Sequence, residues 1–411
     1  MSNSSNNNLR LVAFSMLLLV GSDDSAFSQA RGSSPDVRNK TFEIVWKTVN
    51  EKYFDPGFSG TDWAEVRRRY APKIANVAND AELHALLDAM VKEIPISHLR
   101  MLEVKTLEDS VARSFTKTGV ALRDIAGQVV VSRVREDSPA QAAGLRPGFV
   151  IKQIGGVPVV DARAAESSLA LGIPPHKVTF LDGHDSQRDV VLENRLPQPA
   201  KLANVQLLTA TRYAFVESKR LADGIGYIHF TNFIVPLKAK LLAAIESMKD
   251  APGLILDLRG NSGGDELGMS VAGMLLGKET QLAITKTRKG DDNSYKARPQ
   301  KHSYPGPVVI LIDEETASEG EQLSATLRDL GRVVLFGKTT RGADMDATVE
   351  YLPTGAFLLY PIGQPRTMKG TVIEGRGAIP DVEVSLTRED LLQGKDAQLD
   401  AALEYLRKQK R

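Results

Sequence analysis

The stretch that most limits how this 411-residue chain can fold is 307–331, PVVILIDEETASEGEQLSATLRDLG. Its apolar run, 308–312, is unbroken and short, the pattern of a strand buried on both faces. A polar break at 313–316 follows. Leu323, Leu327 and Leu330 then fall at i, i+4 and i+7, the apolar stripe of a helix that stops at Gly331. Ser318 therefore stands where a buried strand hands over to a helix N-terminus. Free backbone N–H groups and the positive end of a helix dipole lie there, so an oxyanion could be held. A serine or threonine at a helix start is equally suited to plain capping, and this stretch alone leaves both uses of Ser318 open.

The rest of the chain narrows the choice by exclusion. It has no cysteine, which removes a thiol nucleophile, thiolate metal sites, disulfides and a lipid-anchor cysteine. A formal charge of +1 carries no nucleic-acid footprint and no polybasic membrane patch. The length predicts two or three domains. Arg10 ahead of the apolar segment 11–20, with Phe27-Ser28-Gln29-Ala30 behind it, predicts a signal peptide cleaved near Ala30 and an exported chain, periplasmic or secreted. That apolar segment is too short to span a bilayer, and no other stretch is long enough.

Taken in order, residues 31–103 read as a helical domain. Phe42, Val45, Trp46 and Val49 repeat at helical spacing, as do Leu83, Leu86, Leu87 and Met90. Pro95 ends the second helix, so Ser97 and His98 are presented on a turn or at the start of a strand. His84, His176, His184, His229 and His302 read as structural. Residues 104–197 have a β-rich texture, with a strand at 129–131, a short helix after Ser138-Pro139 and a hairpin at Gly155-Gly156. Their order, SPAxxAGLxPGFVIxxIGGxPV, resembles a PDZ domain. In that family a loop and the strand after it receive a partner's C-terminus by strand addition. The matching residues here are Gly119, Val120, Ala121 and Leu122, with Ala121 where a second glycine is common.

Residues 198–411 alternate strands and helices. Strands are expected at 225–230, 254–258, 333–336 and 356–360, and helices at 237–248, 267–276 and 398–406. Between 258 and 267 lies Arg259-Gly260-Asn261-Ser262-Gly263-Gly264, a turn able to line up N–H groups toward an anion. It has neither the P-loop lysine nor GxGxxG spacing, which speaks against nucleotide binding.

DLRGNSGG, TASEGE, GKTTRG and GRGAIPDVEV follow one another in an order that resembles the carboxyl-terminal processing (tail-specific) serine proteases over nearly the whole chain after the leader. The resemblance implies a multidomain α/β protein: helical N-terminal domain, inserted PDZ domain, and a catalytic core akin to the crotonase and Clp protease folds. One branch of that family uses a serine–lysine dyad with the lysine 25 residues after the serine. That count from Ser318 reaches Ala343, and Lys338 lies too early. The other branch resembles the core of tricorn protease, and it implies a tetrad of Ser318 as nucleophile, His98 as base, Ser97 and Glu374. The oxyanion would be held by the N–H groups of Glu319 and Gly263, with Ser262 as the alternative to Gly263. No metal or cofactor is implied, and the implied partners are protein or peptide substrates presented by their C-terminal tails. A relative that had lost a tetrad residue would serve as a ligand-binding module instead; none is missing here.

Overall fold

The computed structural model describes residues 32–102, 118–171, 174–194, 203–207, 210–214, 216–265, 267–293 and 295–409. The expected leader and both expected domain boundaries, near 103 and 197, lie outside the described residues.

Among the described residues the first α-helices are α1 (Pro35–Lys52), α2 (Trp63–Tyr70) and α3 (Asp80–Val91). Each starts on a side-chain cap, Ser34, Asp62 and Asn79, that accepts a first-turn N–H. Their apolar faces do not close on themselves. Val45, Val49, Leu83 and Leu87 share one core with Leu358, Tyr360 and Met345 from far along the chain. A short strand, β1 (Arg100–Leu102), follows the turn after α3 and pairs antiparallel with a long strand near the C-terminus.

A second unit is built on β2 (Val120–Ile125), β3 (Gln128–Val134), β4 (Val150–Ile154), β5 (Val157–Pro158), β6 (His176–Leu181) and β7 (Gln187–Leu192). The sheet order is β2-β3-β4-β6-β7, with β5 paired to β4, so β2 is an edge. Helix α4 (Ala162–Leu171) packs along β2, and Val131, Ile151, Ala165, Leu169 and Val178 form a core separate from the others. The hairpin β8 (Ala203–Leu207) and β9 (Ala210–Ala214) connects it to the last unit.

That unit is a sheet of order β10-β11-β12-β17-β18-β21. Its strands are β10 (Val216–Arg220), β11 (Gly226–Phe230), β12 (Leu254–Asp257), β17 (Val308–Ile312), β18 (Val333–Gly337) and β21 (Val382–Glu383), all parallel except β10. The crossovers carry α5 (Lys238–Ser247), α6 (Leu267–Leu276) and α7 (Glu319–Asp329). Alternate residues of β17 explain its apolar run. Val308, Ile310 and Ile312 meet α5, α6 and α7, whereas Val309 and Leu311 meet the closing helix α8 (Ala397–Gln409). Between β12 and β17 run β13 (Thr280–Gln281), β14 (Ala283–Thr287), β15 (Gly290–Asp292) and β16 (Lys296–Ala297). Beyond β18, β19 (Asp346–Tyr351) and β20 (Phe357–Thr367) complete a second sheet, in which β20 holds β1, β14 and β19. The strand expected at 356–360 thus runs on to Thr367, because its far half pairs with β14. No helix among the described residues is long and apolar enough to cross a membrane.

Candidate active site

Ser318 occupies the position just before α7, with φ +54° and ψ −125°. An ordinary N-cap is extended; a non-glycine residue held at positive φ is strained, and such strain gathers at functional turns. Several bonds hold this one. The Ser318 N–H donates to Ala343 O (3.0 Å) and to Glu321 Oε2 (3.0 Å). Thr316 spends its hydroxyl inside the turn, donating to Leu258 O at 2.8 Å and accepting from Asp313 N at 3.1 Å.

Glu321 organises the neighbourhood. It is fully buried, and its carboxylate also accepts from Gly342 N (2.6 Å), Ala343 N (2.9 Å) and the Thr340 hydroxyl. Burial pushes its carboxyl up and these donors pull it back down, with burial the larger effect. Sequence reasoning passed over it, although Ser318-Glu319-Gly320-Glu321 carries the S-x-x-E signature of a capping box. Asp313 has a similar role at the start of the same turn, taking N–H groups from Gly260 (2.8 Å), Glu315 (3.1 Å) and Thr316 (3.0 Å) on Oδ1.

The glycine-rich turn lies against Ser318. Ala317 N donates to Asn261 O at 2.9 Å, and a Cβ on Gly263 would stand 2.6 Å from Ser318 Cβ and 2.7 Å from Ala317 O. Only glycine fits so close, and its φ of +84° suits glycine as well. The N–H of Gly263 donates to Asn261 Oδ1 at 2.9 Å, and Asn261 is itself anchored to Phe230 O (2.9 Å). Ser262 is exposed and accepts from Asn232 Nδ2 (2.9 Å). The Glu319 side chain is seated by the Tyr295 hydroxyl at 2.5 Å.

Ser97, His98 and Glu374 come together although 277 positions separate the first from the last. His98 follows the Pro95 break with φ +59°, shortly before β1. Ser97 Oγ lies 2.7 Å from His98 Nδ1 and 2.7 Å from Glu374 Oε2. Glu374 also receives Ser97 N (2.7 Å) and Asp344 N (2.8 Å), so three donors converge on its two oxygens. With Glu374 as acceptor, the one proton of the Ser97 hydroxyl points to it. The Ser97 oxygen then accepts from His98 Nδ1–H, which leaves Nε2 as the basic nitrogen. Burial, and then the cations of Arg100 and Arg341, push His98 down to about 4, so its imidazole is neutral near pH 7.

Among the described residues no hydrogen bond joins the Ser318 hydroxyl to His98. The link between them is the 343–344 backbone: Ala343 O takes the Ser318 N–H, and Asp344 N reaches Glu374. Ala343 thus occupies the place where the other branch carries its lysine, and Lys338 is paired with Glu383 at 2.7 Å instead. His84, His229 and His302 are each bonded elsewhere, to Thr354, Asp257 O and Glu246. Gly119, Val120, Ala121 and Leu122 lie on or beside the edge strand β2, outside this cluster. The next residue, Arg123, reaches back to it, with its guanidinium 2.6 Å from Asp313 Oδ2.

Residues 224–384 match the family described as Peptidase family S41, and residues 35–92 match the Tricorn protease C1 domain. The chain is 25% identical over 372 residues to the carboxyl-terminal-processing protease of Synechocystis sp., covering 88% of this chain and 85% of that one. It is 23% identical over 385 residues to the carboxy-terminal processing protease CtpA of Bacillus subtilis, covering 92% and 75%. In fold it is similar to the photosystem II D1 C-terminal processing protease, with a TM-score of 0.59 and 24% identity over 88% of this chain and 98% of that one. The chain thus carries a peptidase family S41 domain at 224–384 and a tricorn-type C1 domain at 35–92, and along most of its length it is similar to the carboxyl-terminal-processing proteases.

Proposed function

We propose that this protein is an exported serine endopeptidase that cuts unfolded or C-terminally exposed proteins through a Ser318/His98/Ser97/Glu374 tetrad. The observation that carries this reading is the Ser97 hydroxyl, 2.7 Å from both His98 Nδ1 and Glu374 Oε2, which sets the histidine tautomer a base requires. Ser318 Oγ attacks the scissile carbonyl and gives its proton to His98 Nε2. The imidazolium that forms is stabilised through Ser97 by Glu374. The tetrahedral oxyanion faces the α7 N-terminus, where Glu319 N–H donates, and Gly263 N–H serves as a donor shared with Asn261 Oδ1. His98 then protonates the leaving amine, and water enters by the reverse route to release the acyl group. The unit of β2–β7 acts as a PDZ domain that recruits substrate tails at Gly119, Val120, Ala121 and Leu122 by strand addition. Residues 1–30 act as the export signal.

Degradation of a loosely folded protein such as casein by the chain, beside Ser318→Ala and His98→Ala, tests the mechanism. Both variants are expected to be inert. Cutting by His98→Ala at the parent rate ends the tetrad reading, and an inert parent makes the chain a binding module rather than an enzyme.

A further inference from the structure

Glu166, on α4, faces the edge of β2 and its Oε1 accepts the Leu122 N–H at 2.8 Å. That N–H is directed away from β3, on the side of β2 where a further strand would add. Building on the PDZ reading, we propose that Glu166 is an internal plug: its carboxylate occupies the β2–α4 groove until an extended polypeptide ending in a free carboxylate displaces it. The groove suits such an occupant in charge. The Arg135 guanidinium lies 3.4 Å from where a Cβ on Gly119 would stand, and the hydroxyl of the preceding residue, Thr118, is buried without a hydrogen-bond partner. An added strand needs the Leu122 N–H for its own carbonyl, so ligand and Glu166 compete for one donor.

The plug is also sensitive to protons. Glu166 is faced by Arg123 from β2 (4.0 Å) and by Asp313 and Glu315 from the turn before α7, while Arg163 on its own helix pairs with Glu315 at 3.1 Å. Burial pushes its carboxyl up to about 7, against the pull of Arg123 and the Leu122 N–H and with the push of the two acids. Above that pH the charged carboxylate holds Leu122 by a charge-assisted bond and repels an arriving carboxylate. Below it the neutral acid is a weaker acceptor and the repulsion is gone. Tail binding therefore tightens as pH falls.

The test uses the full chain with Ser318→Ala, to prevent cleavage, and fluorescein-labelled decapeptides with randomised last four residues and a free carboxylate, followed by anisotropy. The expected Kd is about tenfold tighter at pH 6 than at pH 8. Adding Glu166→Gln is expected to bring the pH 8 affinity to the pH 6 value, abolish the pH dependence and speed hydrogen exchange at Leu122. Unchanged affinity and exchange in Glu166→Gln, with the parent binding the peptides, overturns the plug while leaving the groove standing. Binding by neither chain, with both folded, overturns the PDZ reading and the plug together.

Discussion

His98 and Asp344 show how one buried neighbourhood sets opposite proton preferences. Burial, then Arg100 and Arg341, push the imidazole to about 4, well below its ordinary 6.5. Below pH 6.5 the unfolded chain takes up a proton that folded His98 refuses, so this residue withdraws stability as pH drops toward 4. Its basic form persists over the same range. The acid limb of kcat/KM on a peptide substrate is expected below pH 6, and Arg341→Gln should move it upward, as a pH–rate profile reads directly. Asp344 is 4% exposed, and its Oδ2 is buried without a partner. Burial first, then the charges of Glu321, Asp346, Glu319 and Glu374, hold its carboxyl well above the ordinary 3.8. A raised carboxyl favours folding at low pH and loses that contribution as pH rises. Asp344→Asn should therefore raise Tm by about 2 °C or more at pH 8 and by less at pH 4. Ser97→Ala, which leaves His98 Nδ1–H without its acceptor while Glu374 keeps the Ser97 and Asp344 N–H groups, should lower kcat/KM by about a hundredfold or more at unchanged fold.

The turn before α7 and the turn after β12 are stabilised as a pair. Gly260 N on Asp313 and Ala317 N on Asn261 O tie them, and Gly263 fills the remaining space. Gly263→Ala would drive a Cβ into Ser318 and Ala317 at a φ that L side chains rarely adopt. It should abolish activity in a chain that still unfolds cooperatively, checked by casein degradation beside a circular-dichroism melt. Glu321→Ala removes the acceptor of the Gly342 and Ala343 N–H groups and of the Thr340 hydroxyl, while the Ser318 N–H keeps Ala343 O. At about 1–3 kcal/mol for each buried donor left unmade, the loss should be several kcal/mol in a denaturant titration. The helix itself needs little help from its cap, since Leu323 and Leu327 are fully buried against the sheet.

Three cores lie under the N-terminal helices, inside β2–β7 and on the parallel sheet, and besides the packing of Val130 and Val150 against Leu391 several polar ties join them. Arg123 reaches Asp313 at 2.6 Å, Arg133 reaches Asp257 at 3.0 Å, and Arg388 donates to Gly148 O at 2.9 Å. Asp257 is wholly buried and also holds Arg259 and the Tyr227 hydroxyl, and the cations keep it ionised well below the ordinary range despite burial. Removing one partner of such a pair exposes the cost of an unpaired buried charge. Arg123→Ala should cost about 3–5 kcal/mol, read from chemical denaturation, because Asp313 stays buried beneath it. The tie runs from the edge strand β2 to the start of the turn that leads to Ser318, so the β2–β7 unit is seated on that turn.

Burial pattern is written locally, and the chain's own residues were enough to read it. The apolar run at 308–312, the stripe of Leu323 and Leu327, the Pro95 break before Ser97-His98 and the glycines of 260–264 each predict an element from neighbours a few positions away. Hydrogen-bond partners are different, because a carboxylate's partner lies wherever folding puts it. Motif order named Glu374 and Ser97, but nothing local to either says that they meet at 2.7 Å, or that the 342–344 backbone ties the Glu374 segment in place. The same holds for Gly263, whose N–H turns to Asn261, and for Glu166, whose helix periodicity gives no hint of the β2 edge it covers. Local sequence settles which elements form; long-range packing settles which polar atoms face each other, and the chemistry depends on the second.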